Sequence, residues 1–526
     1  MINNEKGSAL LTVMLMMLIF TILGLTIISS SISGSKRIQV REDEVVSSLD
    51  SIKQVNEGIA YIKSTINSSY SPAMDIINYQ KKIEEIEAKE AEYKIEDISD
   101  QYNIDVDTDY TRVFDVTAAS DSTGTVYKQR AYITAMPSFL KYALGSRKNL
   151  TMNGSVYIKD GHIYAKDSLY LSNEARYVVG SKKTKKTELS YVNSDSILEA
   201  YGPINHCMSN PCYTDIDNES NGRINGKWHS LNKTQLSDGF QQAPIYYLPN
   251  EKYIDVDIPR TVIDKLLEIN VMTKYDAGTN HLEFLSIPNQ VEEINTIVEA
   301  ADPSRNYYIQ NDHDRVVIEA NRKTSENEPL FSIDKGNWLI IDGDAHIENS
   351  GNEDLNIQAN LLITGNLRIA GDVAFDSTVY VLGNVDVNNA NIQGYEYTKD
   401  GKSMMGELIL MNEKTLTIAK INKFKNPDLS SYELNAYFYT ASDANLYAVG
   451  SYISITGGLF ANRNLEVNSY RGSTEYGQND LNFTPSTDYA DSRLVISNNK
   501  TLFLSQAQGL PRVSNLQVMT DPIQRQ

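Results

Sequence analysis

Cys207 and Cys212, the only two cysteines in a chain of 526 residues, bracket Met-Ser-Asn-Pro and carry its most definite covalent chemistry. A Cys-x4-Cys pair cannot complete a four-ligand zinc site unless distant histidines contribute. In an oxidising compartment the same pair could instead close a small disulfide loop stiffened by Pro211. The six histidines (162, 206, 229, 281, 313, 346) are scattered and never form His-x3-His. Asp312-His313-Asp314, their one tight cluster, reads as a solvated turn. Asp215-x-Asp217-x-Glu219 and Asp105-x-Asp107-x-Asp109 alternate carboxylates like the first half of a calcium loop, but both lack its glycine at position six and its acid at position twelve. There is no Gly-x-Ser-x-Gly, no phosphate-binding glycine loop and no Cys/His nucleophile pairing. Carboxylates are plentiful, but their separation in space decides whether a pair does sugar chemistry. No catalytic residue, metal or cofactor is expected, and the chain is read as a non-enzyme.

The first element that could position anything is apolar. Residues 7–28 read Gly-Ser-Ala-Leu-Leu-Thr-Val-Met-Leu-Met-Met-Leu-Ile-Phe-Thr-Ile-Leu-Gly-Leu-Thr-Ile-Ile, with six residues before them. A secretory signal places its small residues after an apolar core of roughly 7–15 residues and is then discarded. Here Gly7, Ser8 and Ala9 come before the run, so cleavage among them leaves the apolar segment on the protein. From Ser8 to Ile28 a helix spans ~32 Å, enough to cross ~30 Å of hydrocarbon. No second stretch matches it in length and apolarity, so a single pass is expected.

This order of residues resembles the signal of type IV prepilins and pseudopilins. The resemblance implies cleavage between Gly7 and Ser8 by a prepilin peptidase, which would make Ser8 the methylated N-terminus. Most of that family carry glutamate at the fifth mature position, where it helps dock the subunit into a filament. This chain has Thr12 there, which points away from a major subunit and toward a minor pilin of the PilX-like kind. Other pilins, the pilus assembly machinery, the peptidase and membrane lipid are the implied partners.

Charge bears on partners and on topology. Lys plus Arg is 48 against 68 Asp plus Glu, a formal net charge of −20, so nucleic acid is not an expected partner. The densest basic run, Ser181-Lys-Lys-Thr-Lys-Lys-Thr187, reads as a solvated loop. Lys36, Arg37 and Arg41 follow the apolar run and pull against export of the body, but long domains cross largely regardless of charge. The expected location is the bacterial cell membrane with the C-terminal body exported, at the cell surface or in a pilus.

Beyond Ile28, Ile38, Val45, Ile52, Ile59 and Ile66 recur every seven residues with Val55 and Ile62 between them, which predicts a helix continuing to about Tyr70. Ser29-Ser30-Ser31 and Ser33-Gly34-Ser35 suggest a locally unwound stretch. Ser71-Pro72 is placed to cap and start a second helix, with Ile76, Ile77, Ile83 and Ile86 on one face. Tyr102–Val106, Arg112–Val116 and Thr125–Met136 alternate like strands, the last two joined by Asp121-Ser-Thr-Gly124. A long helix on a small antiparallel sheet is also the pilin arrangement.

From Asn149 the texture changes. Gly343-Asp-Ala-His-Ile347, Gly365-Asn-Leu-Arg-Ile369, Gly371-Asp-Val-Ala-Phe375 and Gly383-Asn-Val-Asp-Val387 share one template. Glycines 365, 371 and 383 keep the phase of a six-residue face in a stacked β-solenoid, with glycine and asparagine at the corners. Gly161-His-Ile-Tyr-Ala-Lys-Asp-Ser-Leu-Tyr-Leu171 matches Gly457-Gly-Leu-Phe-Ala-Asn-Arg-Asn-Leu-Glu-Val467 at every apolar position. The Gly-Asn-Val texture over 336–392 resembles polymer-forming bactofilins. Pro259–Asn270 and Val291–Ala301 have helical periodicity, and Tyr307–Ile309 and Arg315–Glu319 read as strands. Tyrosine is unusually common, at 33 residues, and Tyr157, Tyr164 and Tyr170 suggest an exposed stack on successive rungs.

The expected fold is therefore α+β, mainly β. Its parts are a leader (1–7), a transmembrane and pilin-like helix (8–70), an α/β pilin-like domain (71–146) and first solenoid rungs (147–180). An inserted α/β module (181–335) and a continuing solenoid with C-terminal strands (336–526) complete it. The expected function is that of a minor pilin or pilus-associated surface protein displaying the solenoid for filament assembly or adhesion. The alternatives are a membrane-anchored, bactofilin-like polymerising scaffold and an envelope carbohydrate-binding β-helix.

Overall fold

The computed structural model describes residues 6–69, 76–89, 91–102, 104, 111–120, 122–134, 136–209, 211–220, 223–249, 253, 255–276, 281–286, 289–300, 302–310, 315–320, 329–334, 336–349, 354–399, 402–419, 433–499, 509–511 and 516–526. The expected cap at Ser71-Pro72, most of the Tyr102–Val106 strand, Asp105–Asp109 and Asp312–Asp314 lie outside them. The chain divides into two compact units, residues 1–134 with 515–526, and residues 135–514.

In the first unit, helix α1 (Lys6–Ser69) runs 64 residues, or ~96 Å. It passes through Ser29–Ser35 without unwinding. Serine costs a helix interior only roughly half a kcal/mol and Gly34 about 1. Upstream, Thr21 and Thr26 return their hydroxyls to the carbonyls of Met17 and Ile22, one turn back. Only the C-terminal part of the seven-residue stripe is used for packing. Val55, Ile59, Ile62 and Ile66 are buried, whereas Ile38 and Val45 are exposed. The buried face packs on an antiparallel sheet ordered Lys94–Asp97, Arg112–Ala119, Val126–Thr134, Gln517–Thr520. Gly58 marks the closest approach, since a Cβ there would sit 2.6 Å from Val116 Cγ1 and 3.0 Å from Tyr93 Cδ2. Helix α2 (Ile76–Glu87) adds buried Ile83 and Ile86. Across the two central strands Asp115 faces Arg130, which holds it through Nε at 2.8 Å, while Lys128 Nζ stands at 2.6 Å.

The C-terminus belongs to this sheet, which corrects the grouping of 336–526. Thr134 pairs with Gln517 and Ala131 with Thr520, so residues 135–514 leave and return at neighbouring points of one strand pair. A four-residue strand that pairs with residues so far upstream has no local signature.

The second unit is built on parallel pairing. One ladder runs, in spatial order, through Gln290–Val291, Tyr307–Gln310, Trp338–Asp342, Asn360–Ile363, Ser377–Val381, Leu408–Asn412, Glu433–Thr440 and Ile453–Ala461. It then continues into Tyr142–Ser146, His162–Ala165, Ile197–Ala200 and Ile245–Tyr246. A second ladder extends from Val316–Ile318 to Ile204–Cys207, and a third from Phe331–Ser332 to Tyr191–Val192. Parallel strands cannot be joined by tight hairpins, so consecutive strands go to different ladders. The ladders share one apolar core. One column is Tyr307, Leu339, Leu361, Val379, Leu410, Phe438, Leu459, Leu144, Ile163, Leu198.

Spatial order departs from chain order. The chain joins the stack beside Ile453–Ala461, winds to one end by Tyr246, and resumes at the opposite end near Gln290 before winding back. The two halves meet where Leu459 faces Leu144 and Leu465 faces Leu150. The matched segments 161–171 and 457–467 therefore occupy the same columns, with 142–154 between them.

Glycines serve the corners in two ways. Gly343 and Gly371 have φ of +140° and +79°, as the left-handed argument requires. Gly365 and Gly383 do not; a Cβ on Gly383 would fall 2.3 Å from the Gly365 carbonyl oxygen. Close stacking selects glycine there. Beside them Asn366 donates its backbone and side-chain N–H groups to Asp344 Oδ1 at 2.7 and 3.1 Å, and Asn384 does the same to Asn366 Oδ1 at 2.9 and 3.0 Å.

Residues 181–335 are not one inserted module. Strands Tyr191–Val192, Ile197–Ala200, Ile204–Cys207 and Ile245–Tyr246 lie in the ladders, as do the strands from Gln290 onward. These strands are two to four residues long and lack the glycine–asparagine corner, so no period shows. Outside the ladders stand helix α3 (Ile258–Glu268), capped by Asp257 accepting from Arg260 N–H at 3.1 Å, and two hairpins, Thr273–Phe284 and Tyr213–Gly226. The lysine-rich run is likewise no loop: Ser181–Lys186 pairs with Glu174–Val179.

Candidate functional site

Gly7, Ser8 and Thr12 all lie in the first turns of α1, and the Thr12 side chain is exposed. From Leu10 to Ile32 the apolar side chains of this helix are exposed, Leu11 and Phe20 at 70% each. It is the one helix among the described residues long and apolar enough to cross a membrane, with a mean hydropathy of 2.6 over its most apolar 18 residues. An apolar surface of that length is unfavourable in water and calls for lipid or other apolar helices around it. Lys36, Arg37 and Arg41 follow on the same helix, then Glu42, Asp43 and Glu44.

Cys207 and Cys212 form a disulfide with Cα atoms 5.8 Å apart. The surroundings are structural. Cys212 N–H donates to Glu174 Oε2 at 2.6 Å, Tyr213 hydroxyl bonds Asn153 Oδ1, and Trp228 packs against the pair. The loop thus ties the Tyr213–Gly226 hairpin to the end of a ladder strand. Among the described residues no three His, Cys, Asp or Glu side chains converge to hold a metal. Asp215, Asp217 and Glu219 fall on one strand rather than a coordinating loop. His206 and His229, unrelated in sequence, face each other across an antiparallel pair with ring centroids 6.3 Å apart.

The three tyrosines read as a stack go to three different ladders, because consecutive strands alternate between them. Tyr164 and Tyr170 are buried, the first among Tyr142, Tyr253 and Phe460, the second against Trp228. Three buried phenols are spent on partners, whereas the Tyr253 hydroxyl is buried without one among the described residues. Tyr142 donates to Glu199 Oε2 at 2.9 Å, Tyr380 to the Gly509 carbonyl at 2.8 Å and Tyr437 to the Asn499 carbonyl at 2.9 Å. Burial, then Glu199, pushes the Tyr142 hydroxyl well above its ordinary range. Tyr157 alone of the three reaches the surface, where Tyr191 and Tyr489 join it. The pairing with Tyr191 follows from strand register, which sequence spacing does not reveal.

Other titratable groups serve the fold. Burial pushes the Glu407 carboxyl up to about 8, partly offset by Asn499 Nδ2, which donates to both its oxygens at 3.3 and 3.2 Å. Buried Arg471 donates to Ser155 Oγ and the Leu189 carbonyl, at 2.7 and 2.9 Å. On the exposed face of the second ladder His346, Arg368, Asp386 and Thr417 line a shallow depression of about 340 Å³. None of these groups pairs a nucleophile with a base.

No family model matches the chain, and no curated protein matches it. Among solved structures, the competence-associated pilin ComZ from Thermus thermophilus aligns over 80% of this chain and 82% of that one, at 13% identity and a TM-score of 0.26. A likeness that low carries no argument about this chain.

Proposed function

We propose that this chain is a membrane-anchored, pilin-like protein without enzymatic activity, a minor pilin or pilus-associated surface protein. The observation that carries the reading is the division of labour within α1. Its N-terminal half is apolar and exposed, while its C-terminal half is packed on an antiparallel sheet. A soluble helix would bury one stripe along its whole length; this one leaves a membrane-length cylinder for lipid, and later for the helices of neighbouring subunits.

On this reading a prepilin peptidase cuts between Gly7 and Ser8, and Thr12 leaves the subunit without the acid used by major pilins. The helix crosses the membrane once, and the body encoded between residues 135 and 514 is exported. We read the three parallel ladders of that body as a β-solenoid displayed for adhesion or as a tip structure. End-to-end polymerisation is the weaker reading. Leu231, Leu236 and Phe240 join the apolar core at one end of the stack, and Ile294 and Ile297 of helix α4 (Ile294–Ala300) at the other. Apolar cover over both ends of the core works against a second copy stacking there.

Replacing Gly7 with a bulky residue, Gly7→Trp, tests the processing step. The expected result is an unprocessed protein that migrates more slowly than the wild type. Unchanged mobility would overturn the proposal.

A further inference from the structure

We infer that Tyr157, Tyr191 and Tyr489 form a binding platform for a neutral, pyranose-rich glycan. Tyr157 and Tyr191 stand directly opposite each other on adjacent strands of the third ladder. Tyr489 comes from the short 3-10 helix Tyr489–Asp491 and stacks on Tyr191 at 4.0 Å between centroids, with 13° between the rings. Tyr157 meets both edge-on, at 5.6 and 5.2 Å. Three segments distant in sequence thus bring three aromatic rings to one surface, where Tyr489 is 39% exposed.

Their hydroxyls differ from those of four buried tyrosines. None of the three has a hydrogen-bond partner among the described residues, whereas Tyr142, Tyr380, Tyr437 and Tyr439 are each committed to a protein acceptor. Burial and the neighbouring phenols of Tyr489 and Tyr191 raise the Tyr157 hydroxyl above its ordinary range, consistent with phenols gathered at one place. Open phenols beside aromatic faces suit a ligand with an apolar C–H face and a rim of hydroxyls, which is a pyranose.

Charge narrows the class. Asp488 and Asp491 flank Tyr489 in sequence, and Asp160 and Asp195 lie close in sequence to Tyr157 and Tyr191, outnumbering the one exposed cation near them, Lys159, on a chain of net charge −20. An anionic polysaccharide would be repelled by such a surface, and a neutral one would not. The inference rests on the body being displayed outside the membrane. Binding is measured on purified protein, so its failure would leave that reading standing.

The experiment uses the full chain in a sugar-free detergent, titrated with cellohexaose and chitohexaose, with saturation-transfer NMR and calorimetry as readouts. At least one hexaose is expected to bind. Tyr489→Ala and Tyr191→Ala should each weaken binding about tenfold, and Tyr489→Phe, which keeps the ring, about twofold to threefold. Tyr476→Ala, another exposed tyrosine, should leave affinity unchanged. Thermal melting of each variant separates lost binding from lost folding. Failure of the wild type to bind either hexaose, or equal affinity of the folded Tyr489→Ala and Tyr191→Ala variants, would overturn the inference. Preference for a proline decamer over both sugars would do so too.

Discussion

The two units cover their sheets by opposite means. In the first, one face of helix α1, joined by α2, closes over a five-stranded antiparallel sheet, and Gly58 is the point where α1 and the sheet meet. In the second, three parallel ladders close over a common core, and the column from Tyr307 to Leu198 shares the packing among ten strands. The first concentrates its stability in a few close contacts. The second distributes it, except at the junction of Leu459 with Leu144, where the two halves of the stack meet. Parallel stacking repeats each contact at the next strand, whereas a lone helix on a sheet has no spare copy.

The sharpest way to break this comparison is a matched pair of core lesions. Leu144→Ala removes a fully buried side chain at the junction and should cost about 2–5 kcal/mol. Gly58→Leu drives a side chain into Val116 and Tyr93 and should cost about 1–3 kcal/mol. Hydrogen exchange is expected to report each loss in the unit that holds the lesion. If Leu144→Ala left protection in both flanking ladder strands unchanged, the junction would not carry the load assigned to it.

A smaller effect separates the units by pH. Hydrogen bonds from Arg130 and Lys128 outweigh burial and hold the Asp115 carboxyl below its ordinary 3.8. That stabilisation is complete above 3.8 and is lost as pH falls through the lowered folded value. Glu407 behaves oppositely. Its folded value of about 8 lies above the ordinary 4.5, so between those values the unfolded chain has released a proton that the folded chain keeps. Stability of the second unit should therefore fall as pH rises from about 4.5 to 8, and Glu407→Gln should flatten that slope in thermal melts. An unchanged slope in the variant would remove Glu407 as its source.

How much was legible in the sequence follows the range of the contacts. Helices α1, α3 and α4 and the Arg112–Thr134 hairpin are encoded by local periodicity and turns, and they are readable. The likeness of 161–171 to 457–467 is also readable, because equivalent columns demand equivalent apolar residues. Position along the stack is not: nothing local says that Tyr142–Ser146 sits beside Ile453–Ala461, or that Gln517–Thr520 returns to Val126–Thr134. The tyrosines show the same limit. Their spacing suggested a shared face, but strands six or seven residues apart lie on different ladders, and the rings that do meet come from residues 157, 191 and 489.

The central claim is that α1 holds an exported body at the membrane. Protease treatment of intact cells or protoplasts, read by an antibody against the 135–514 body, tests it most directly. The account predicts that the body is cleaved while the membrane is sealed and that an α1-containing stub stays in the membrane fraction. A body that is protected until the membrane is permeabilised would contradict it.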